Sequence, residues 1–179
     1  MFFSIIIPCY NSEEYIEKCI NSVYENVSNE FSFEVIIIND GSKDKTLEIL
    51  NTISYKFKDL LVVNNKNFGP SFSRNIGINM AQGEYLLFLD SDDFYLKGTL
   101  IELYKYILNY QKPDVVEFNF SFIRKSIFKG KIKKINFTKA TTHALEGYNI
   151  NSVSNKSYKR SFLNENSIFF NEKLRLAED

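Results

Sequence analysis

The sequence predicts an α/β fold with a mostly parallel central sheet flanked by helices. Three observations carry this prediction. Four short runs, Phe3 to Ile7, Glu34 to Ile38, Leu60 to Val63 and Tyr85 to Leu89, are nearly continuous in aliphatic and aromatic residues, as strands covered on both faces should be. Between them lie segments with apolar residues at helical spacing. The resulting β-α-β-α-β-α-β-α order argues for parallel strands joined by right-handed crossovers.

The elements follow in order. After the first strand, Asn11 is expected to cap a helix, with Glu14 completing a capping box. Ile16, Cys19, Ile20 and Val23 give that helix one apolar face. The second strand ends in Asn39-Asp40-Gly41-Ser42, and Leu47, Leu50 and Ile53 mark the helix after it. Pro70 suits the first turn of a third helix and Gly83 its end. Past the fourth strand, Asp93 is expected to cap an amphipathic helix carrying Leu100, Leu103, Tyr104, Ile107 and Leu108, closed before Pro113. The pattern then changes. Val116, Phe118, Phe120 and Phe122 alternate with Glu117, Asn119 and Ser121, as in a half-buried strand. Gly130 offers a turn into a further strand around Ile132 to Phe137.

Size and composition narrow the classes. A chain of 179 residues suits one domain and buries roughly 70% of its unfolded surface. Lys+Arg and Asp+Glu both total 22, so net charge gives no sign of a nucleic-acid partner. No apolar stretch approaches the roughly 20 residues of a membrane helix. The opening Met1-Phe2-Phe3-Ser4 has no basic segment, and the apolar run stops at Pro8, which suits a first strand rather than a signal peptide. Cys9 and Cys19 form neither a C-x-x-C pair nor a disulfide framework and read as thiols in a reducing compartment.

The chemistry concentrates at the strand ends. No glycine spacing makes G-x-G-x-x-G or G-x-x-x-x-G-K-[ST], which excludes the dinucleotide fingerprint and the P-loop. Yet Pro8-Cys9-Tyr10-Asn11, Asn39 to Ser42, Asn64-Asn65-Lys66-Asn67 and Asp90-Ser91-Asp92-Asp93 each follow a strand. Parallel strands would bring all four clusters to one rim, where ligands of open α/β sheets gather. Asp90, Asp92 and Asp93 crowd like charges that need a cation or hydrogen-bond donors to coexist. A hard divalent cation that keeps much of its coordination for phosphate and water would fit.

Five segments in order carry a family resemblance: Ile5 to Glu14, Val35 to Ser42 with Asp44 and Thr46, Ser73-Arg74-Asn75-Ile76-Gly77, Leu89 to Asp93, and Ala177-Glu178-Asp179. Together they resemble the large inverting glycosyltransferase family of GT-A fold, over nearly the whole chain and most weakly from Lys112 to Ser154. The resemblance implies transfer of a sugar from a nucleotide-diphospho sugar, UDP-linked in most members, to a hydroxyl of a glycan or lipid-linked glycan, with Mn²⁺ or Mg²⁺. It implies that Pro8 and Tyr10 shape the base pocket and that Asp40 accepts a hydrogen bond from the base. Arg74 serves as a cation near the phosphates or as a partner for the acidic strand end. Asp90 and Ser91 lie on the nucleotide side, Asp92 holds the metal with Asp90 assisting, and Asp179 is the general base. Family members often carry Asp where this chain has Asn39.

The same resemblance divides the single domain into a nucleotide-sugar half, 1–111, and an incomplete acceptor-side half, 112–179. With its expected base as the last residue, the chain reads as a fragment or truncation, and a catalytically impaired nucleotide-sugar-binding module is the alternative. A phosphatase using Asp-x-Asp would place that motif after the first strand rather than the fourth. His143 has no partner at metal spacing. The stretch from Lys112 to Lys139 holds eight Lys/Arg against two acids, a solvated face or one turned toward anionic lipid-linked acceptors. The expected setting is cytoplasmic, with peripheral association at the inner membrane face left open, as is the oligomeric state.

Overall fold

The computed structural model of the chain describes residues 1–118 and 152–173, together with the backbone of 137–139. The four expected strands form as β1 (Phe3–Cys9), β2 (Phe33–Asn39), β3 (Leu60–Asn64) and β4 (Tyr85–Phe88). They alternate with α1 (Ile16–Tyr24), α2 (Thr46–Ser54) and α3 (Pro70–Met80), and α4 (Thr99–Asn109) follows β4. Beyond Pro113 come β5 (Val115–Phe118), β6 (Phe137–Lys139), β7 (Lys156–Lys159) and the short α5 (Arg160–Glu165).

These strands make one seven-stranded sheet in the order β3-β2-β1-β4-β7-β5-β6. The first four are parallel, with Ile6 of β1 opposite Ile36 on one side and Phe88 on the other. The remaining pairings are antiparallel and shorter, so a parallel core of four strands is extended on one side into a mixed sheet. The extension begins with β7. Its sequence Lys-Ser-Tyr-Lys gives no apolar run to mark a strand, yet it inserts between β4 and β5, with Ser157 fully buried.

Side-chain alternation fills both faces of the parallel region. Phe3, Ile5 and Ile7 of β1 join Val35, Ile37, Tyr85 and Leu87 beneath α1, α2 and α4. Ile6, Ile36, Ile38, Leu86 and Phe88 point the other way, toward α3 and α5. Each fully buried Ile or Leu contributes about 1.5–3 kcal/mol relative to exposure. The Tyr85 hydroxyl is satisfied in the core by donating to the Pro113 carbonyl at 2.7 Å. No helix among the described residues is long and apolar enough to cross a membrane.

Several local expectations are corrected. Asn11 does not cap α1, which begins after Tyr15 without a side-chain cap. Its backbone takes a positive φ of 50° and its side chain is committed elsewhere. Asp93 does not cap α4 either, because that helix starts after Gly98. Leu108 is largely exposed, while Leu100, Leu103 and Ile107 are buried. The strand expected near 132–137 is described only as β6, against β5, and residues 119–136, with Gly130, Lys131, Lys133 and Lys134, lie outside the described residues.

Gly83 does not end α3, which closes at Ala81. It passes directly over β1: a Cβ there would sit 2.5 Å from the Ser4 backbone nitrogen. The Gly83 N–H donates to Ser4 Oγ at 2.8 Å, and Ser4 Oγ donates to Glu34 Oε1 at 2.6 Å. Because the clash is with backbone, Gly83→Ala should cost about 1–3 kcal/mol as overpacking. At this chain length that corresponds to a Tm drop of about 2–4 °C per kcal/mol, measured by thermal unfolding against the unsubstituted chain.

Candidate functional site

The site is built from loops that follow the parallel strands, and those loops are interlocked. The Asn11 N–H donates to Ser42 Oγ at 3.0 Å, and Asn11 Oδ1 accepts from the Lys43 N–H at 2.8 Å. The Ser12 N–H reaches Thr46 Oγ1 at 2.8 Å. Glu13 Oε2 accepts from the Lys45 N–H, while Asp44 Oδ2 accepts from the Glu13 N–H. Asn39 joins the next tip: its side-chain Nδ2 donates to Asn64 Oδ1 at 2.9 Å and its Oδ1 accepts from the Ser42 N–H at 3.2 Å. An aspartate there could not make the first of these bonds.

Asp40 holds the loop before α3. Its carboxylate is buried and accepts from the Phe68 N–H at 2.9 Å and the Gly69 N–H at 2.7 Å, one on each oxygen. Asn67 and Gly69, on either side of Phe68, have φ of 60° and 100°. The turn thus rests on two left-handed residues and one carboxylate.

These loops enclose a cavity of about 310 Å³. Pro8, Tyr10, Asp40, Arg74, Asp90, Ser91 and Asp92 all line it, with Cys9, Asn67, Gly69, Pro70 and Ser73. All four strand tips therefore contribute. Tyr10 keeps 43% of its surface exposed, leaving a ring face available for stacking. Ser91 Oγ lies 2.7 Å from Ser12 Oγ.

The acidic end of the cavity is held by donors from two directions. Arg74, itself buried, pairs with Asp90 Oδ1 at 3.0 Å. Ser154 Oγ donates to Asp90 Oδ2 at 2.9 Å. Asp92 is exposed on the cavity wall. The Asp93 carboxyl is pushed above its usual range, first by desolvation and then by the negative fields of Asp90 and Asp92. Local negative charge thus remains incompletely balanced, which favours a cation. Among the described residues no three His, Cys, Asp or Glu groups could together hold a metal. The donor set fits a hard divalent ion that takes one or two protein carboxylates and completes its shell with phosphate and water. Burial pushes the Cys9 thiol up to about 12, with Asp44 and Asp40 adding to it, and raises Cys19 as well. Both are buried free thiols.

The turn of α3 that carries Arg74 also anchors the segment after α5. Asn75 Nδ2 donates to the Phe170 carbonyl at 3.0 Å and to Glu172 Oε1 at 2.8 Å, and Asn75 Oδ1 accepts from the Phe170 N–H at 2.9 Å. The Phe170 ring packs edge-on to Phe88 at 5.2 Å and lies 5.4 Å from the Arg74 guanidinium carbon. Ser154, Asn67 and Asn75 were not singled out as site residues from the sequence. Asn67 lay within one of the strand-end clusters and Asn75 beside Arg74 in a family segment, while nothing in the sequence marked Ser154. Asp179 and His143 lie outside the described residues.

Two outcomes follow from the loop chemistry. Asp40→Asn would set an amide donor against one of the two N–H groups, a loss of about 1–3 kcal/mol for a buried unsatisfied group. Faster amide exchange at Phe68 and Gly69 and a lower Tm are expected. For Asp44, desolvation is outweighed by hydrogen bonds from Thr46 and Glu13, and the carboxyl lies below its usual range. A depressed folded value means stabilisation above the unfolded value of about 3.9. Asp44→Asn should therefore lower Tm at pH 7, and the gap should narrow as pH falls through the folded value. A pH series of melting curves reads this directly.

Comparison with known proteins places this geometry. The model for glycosyl transferase family 2 matches residues 4–167. The chain is 31% identical to the poly(ribitol-phosphate) beta-glucosyltransferase of Bacillus spizizenii over 100% of its own length and 28% of that protein. It is 32% identical to TarS, the poly(ribitol-phosphate) beta-N-acetylglucosaminyltransferase of Staphylococcus aureus, over 100% of its length and 31% of TarS. The chain thus spans less than a third of these two curated relatives. The crystal structure of TarS 1–349 in complex with UDP-GlcNAc superposes with a TM-score of 0.75 at 30% identity, covering 100% of this chain and 51% of that one. A Pyrobaculum calidifontis mannosyltransferase, in complex with GDP-Man and Mn²⁺, shares the fold at 19% identity and a TM-score of 0.68 over 96% of this chain and 48% of that one. With its sheet, its helices and the rim of four strand tips all in place, the chain belongs to glycosyl transferase family 2 and has the GT-A fold.

Proposed function

We propose that this chain binds a nucleotide-diphospho sugar, most simply a UDP-sugar, and serves its inverting, metal-assisted transfer to a hydroxyl of a glycan or lipid-linked glycan. One observation carries the reading: every residue assigned to the nucleotide from the sequence lines the same cavity. The TarS complexes with UDP and with UDP-GlcNAc support the choice of nucleotide. The division at 111 between donor and acceptor halves belongs to this proposal, as does work on the cytoplasmic side.

In this reading the Tyr10 ring stacks on the base and Pro8 shapes the pocket beneath it. Asp40 has one lone pair on each oxygen committed to the Phe68 and Gly69 N–H groups. A second lone pair can accept from the base. Arg74 and Asp90, paired at the cavity floor, face the ribose and phosphate portion, with Ser91 beside them. Asp92, with Asp90 assisting, would hold Mn²⁺ or Mg²⁺. When bound, that cation supplies charge neutralisation for the departing diphosphate. Asp179 acts as general base, taking the proton of the acceptor hydroxyl as its oxygen attacks the anomeric carbon opposite the leaving diphosphate. In-line attack from that side inverts the centre.

A thermal-shift panel of UDP and GDP, each with and without Mn²⁺, tests the donor and metal assignments. A ligand at 100 times its Kd stabilises by about 2.7 kcal/mol. The expected result is a UDP shift that requires Mn²⁺ and disappears in Asp92→Ala. A shift that survives Asp92→Ala removes Asp92 from the metal role. Assay of sugar transfer then separates a transferase from a module that only binds.

A further inference from the structure

We infer that Ser154 is a positioning residue of the donor site, supplied by the second half of the chain to fix the Asp90 carboxylate against Arg74. The inference rests on the donor reading above and deepens it. Asp90 sits at the end of β4, on the cavity wall, with its side chain about a third exposed. A carboxylate in that place can rotate. Two donors stop it: Arg74 holds Oδ1 at 3.0 Å and Ser154 holds Oδ2 at 2.9 Å. With both oxygens held, the orientation of their remaining lone pairs is set before any ligand arrives.

Ser154 is itself firmly placed. Val153 is buried in the core cluster that contains Ile6 and Phe88. The Ser154 N–H donates to Ser152 Oγ at 3.2 Å, and the Lys156 N–H closes the turn on the Val153 carbonyl at 3.3 Å. Lys156 Nζ ties down the Ser152 carbonyl at 2.6 Å. The next strand, β7, pairs directly with β4, the strand that leads into Asp90. The hydroxyl is thus delivered by a turn anchored to the sheet on one side and to the core on the other.

The consequence is a division of labour among the acids. Asp90, paired with a guanidinium and oriented by a hydroxyl, is a fixed acceptor for a ribose hydroxyl, with Arg74 as the cation toward the phosphates. Asp92 is left as the exposed carboxylate through which a cation enters. Loss of the Ser154 hydroxyl would free Asp90 to swing toward Asp92. It would then misplace the nucleotide's acceptor and lose the fixed position from which it assists Asp92 at the cation. Outer-shell partners of this kind typically change affinity by about 10–100-fold when removed.

The test compares the full chain with Ser154→Ala and Ser154→Thr, using Mn²⁺ alone and UDP with Mn²⁺ as probes in calorimetric titration. Ser154→Ala removes one oxygen atom and should leave the ligand-free Tm close to the wild-type value. The expected result is weaker binding of UDP in the presence of Mn²⁺ by about tenfold or more, with recovery in Ser154→Thr. Wild-type affinity in Ser154→Ala overturns the inference. So does a weakening that Ser154→Thr fails to restore and that accompanies a lower ligand-free Tm, since that outcome marks Ser154 as structural only. Failure of the wild-type chain to bind UDP with Mn²⁺ would instead overturn the donor reading itself.

Discussion

The site depends first on β1 being paired in parallel on both sides. Its register places Cys9 opposite Asn39 and Ile6 opposite Phe88, so the strands run out together. A parallel sheet has no short hairpins, and every chain reversal happens through a helix on a face. The polar residues that end each strand are therefore left at one rim with nothing between them. Asn39 and Asn64, bonded across adjacent tips, show how near those ends lie. Had any one strand run the other way, its polar end would lie at the opposite edge of the sheet.

Bringing polar tips together creates an electrostatic problem as well as a site. Asp40, Asp90, Asp92 and Asp93 all lie on loops at this rim. The protein resolves it unevenly. Asp40 is held by two backbone N–H groups, which cost no mobile side chain. Asp90 has a guanidinium and a hydroxyl. The Asp93 carboxyl is pushed above its usual range by partial desolvation and by the fields of Asp90 and Asp92. Charge is satisfied where geometry must be rigid and left over where a cation would enter. A low local dielectric sharpens both effects.

The sequence made the parallel half legible because burial on both faces writes itself as continuous apolar runs. Ile5-Ile6-Ile7 and Val35-Ile36-Ile37-Ile38 can hardly be anything else. The cavity-lining residues were legible for a related reason: they sit at fixed offsets from those runs. What stayed hidden was fixed by partners distant in sequence. β7 is a strand because β4 and β5 leave a space between them, not because Lys-Ser-Tyr-Lys prefers one. Asn11 looks like a helix cap by spacing, but its side chain finds a backbone N–H in the neighbouring loop at Lys43. Gly83 looked like a helix end, while its reason is the β1 backbone beneath it. Serine has no periodic signature, so Ser154 could not be distinguished from other loop serines.

The two halves of the chain are less separable than a boundary near residue 111 suggests. β7 completes the sheet on the open side of β4, and the turn before it delivers Ser154 to Asp90. The segment after α5 is fastened to α3 at Asn75, one residue from Arg74. Arg74 itself lies near the Phe170 ring while it grips Asp90. A single helical turn thus carries contacts to the cavity floor and to the segment that continues toward Asp179. Any shift of that turn would be transmitted to Phe170 through two hydrogen bonds and a ring contact, and to Glu172 through a third hydrogen bond. Under the donor reading proposed above, nucleotide binding and the placement of Phe170 and Glu172 are joined through α3 rather than arranged independently.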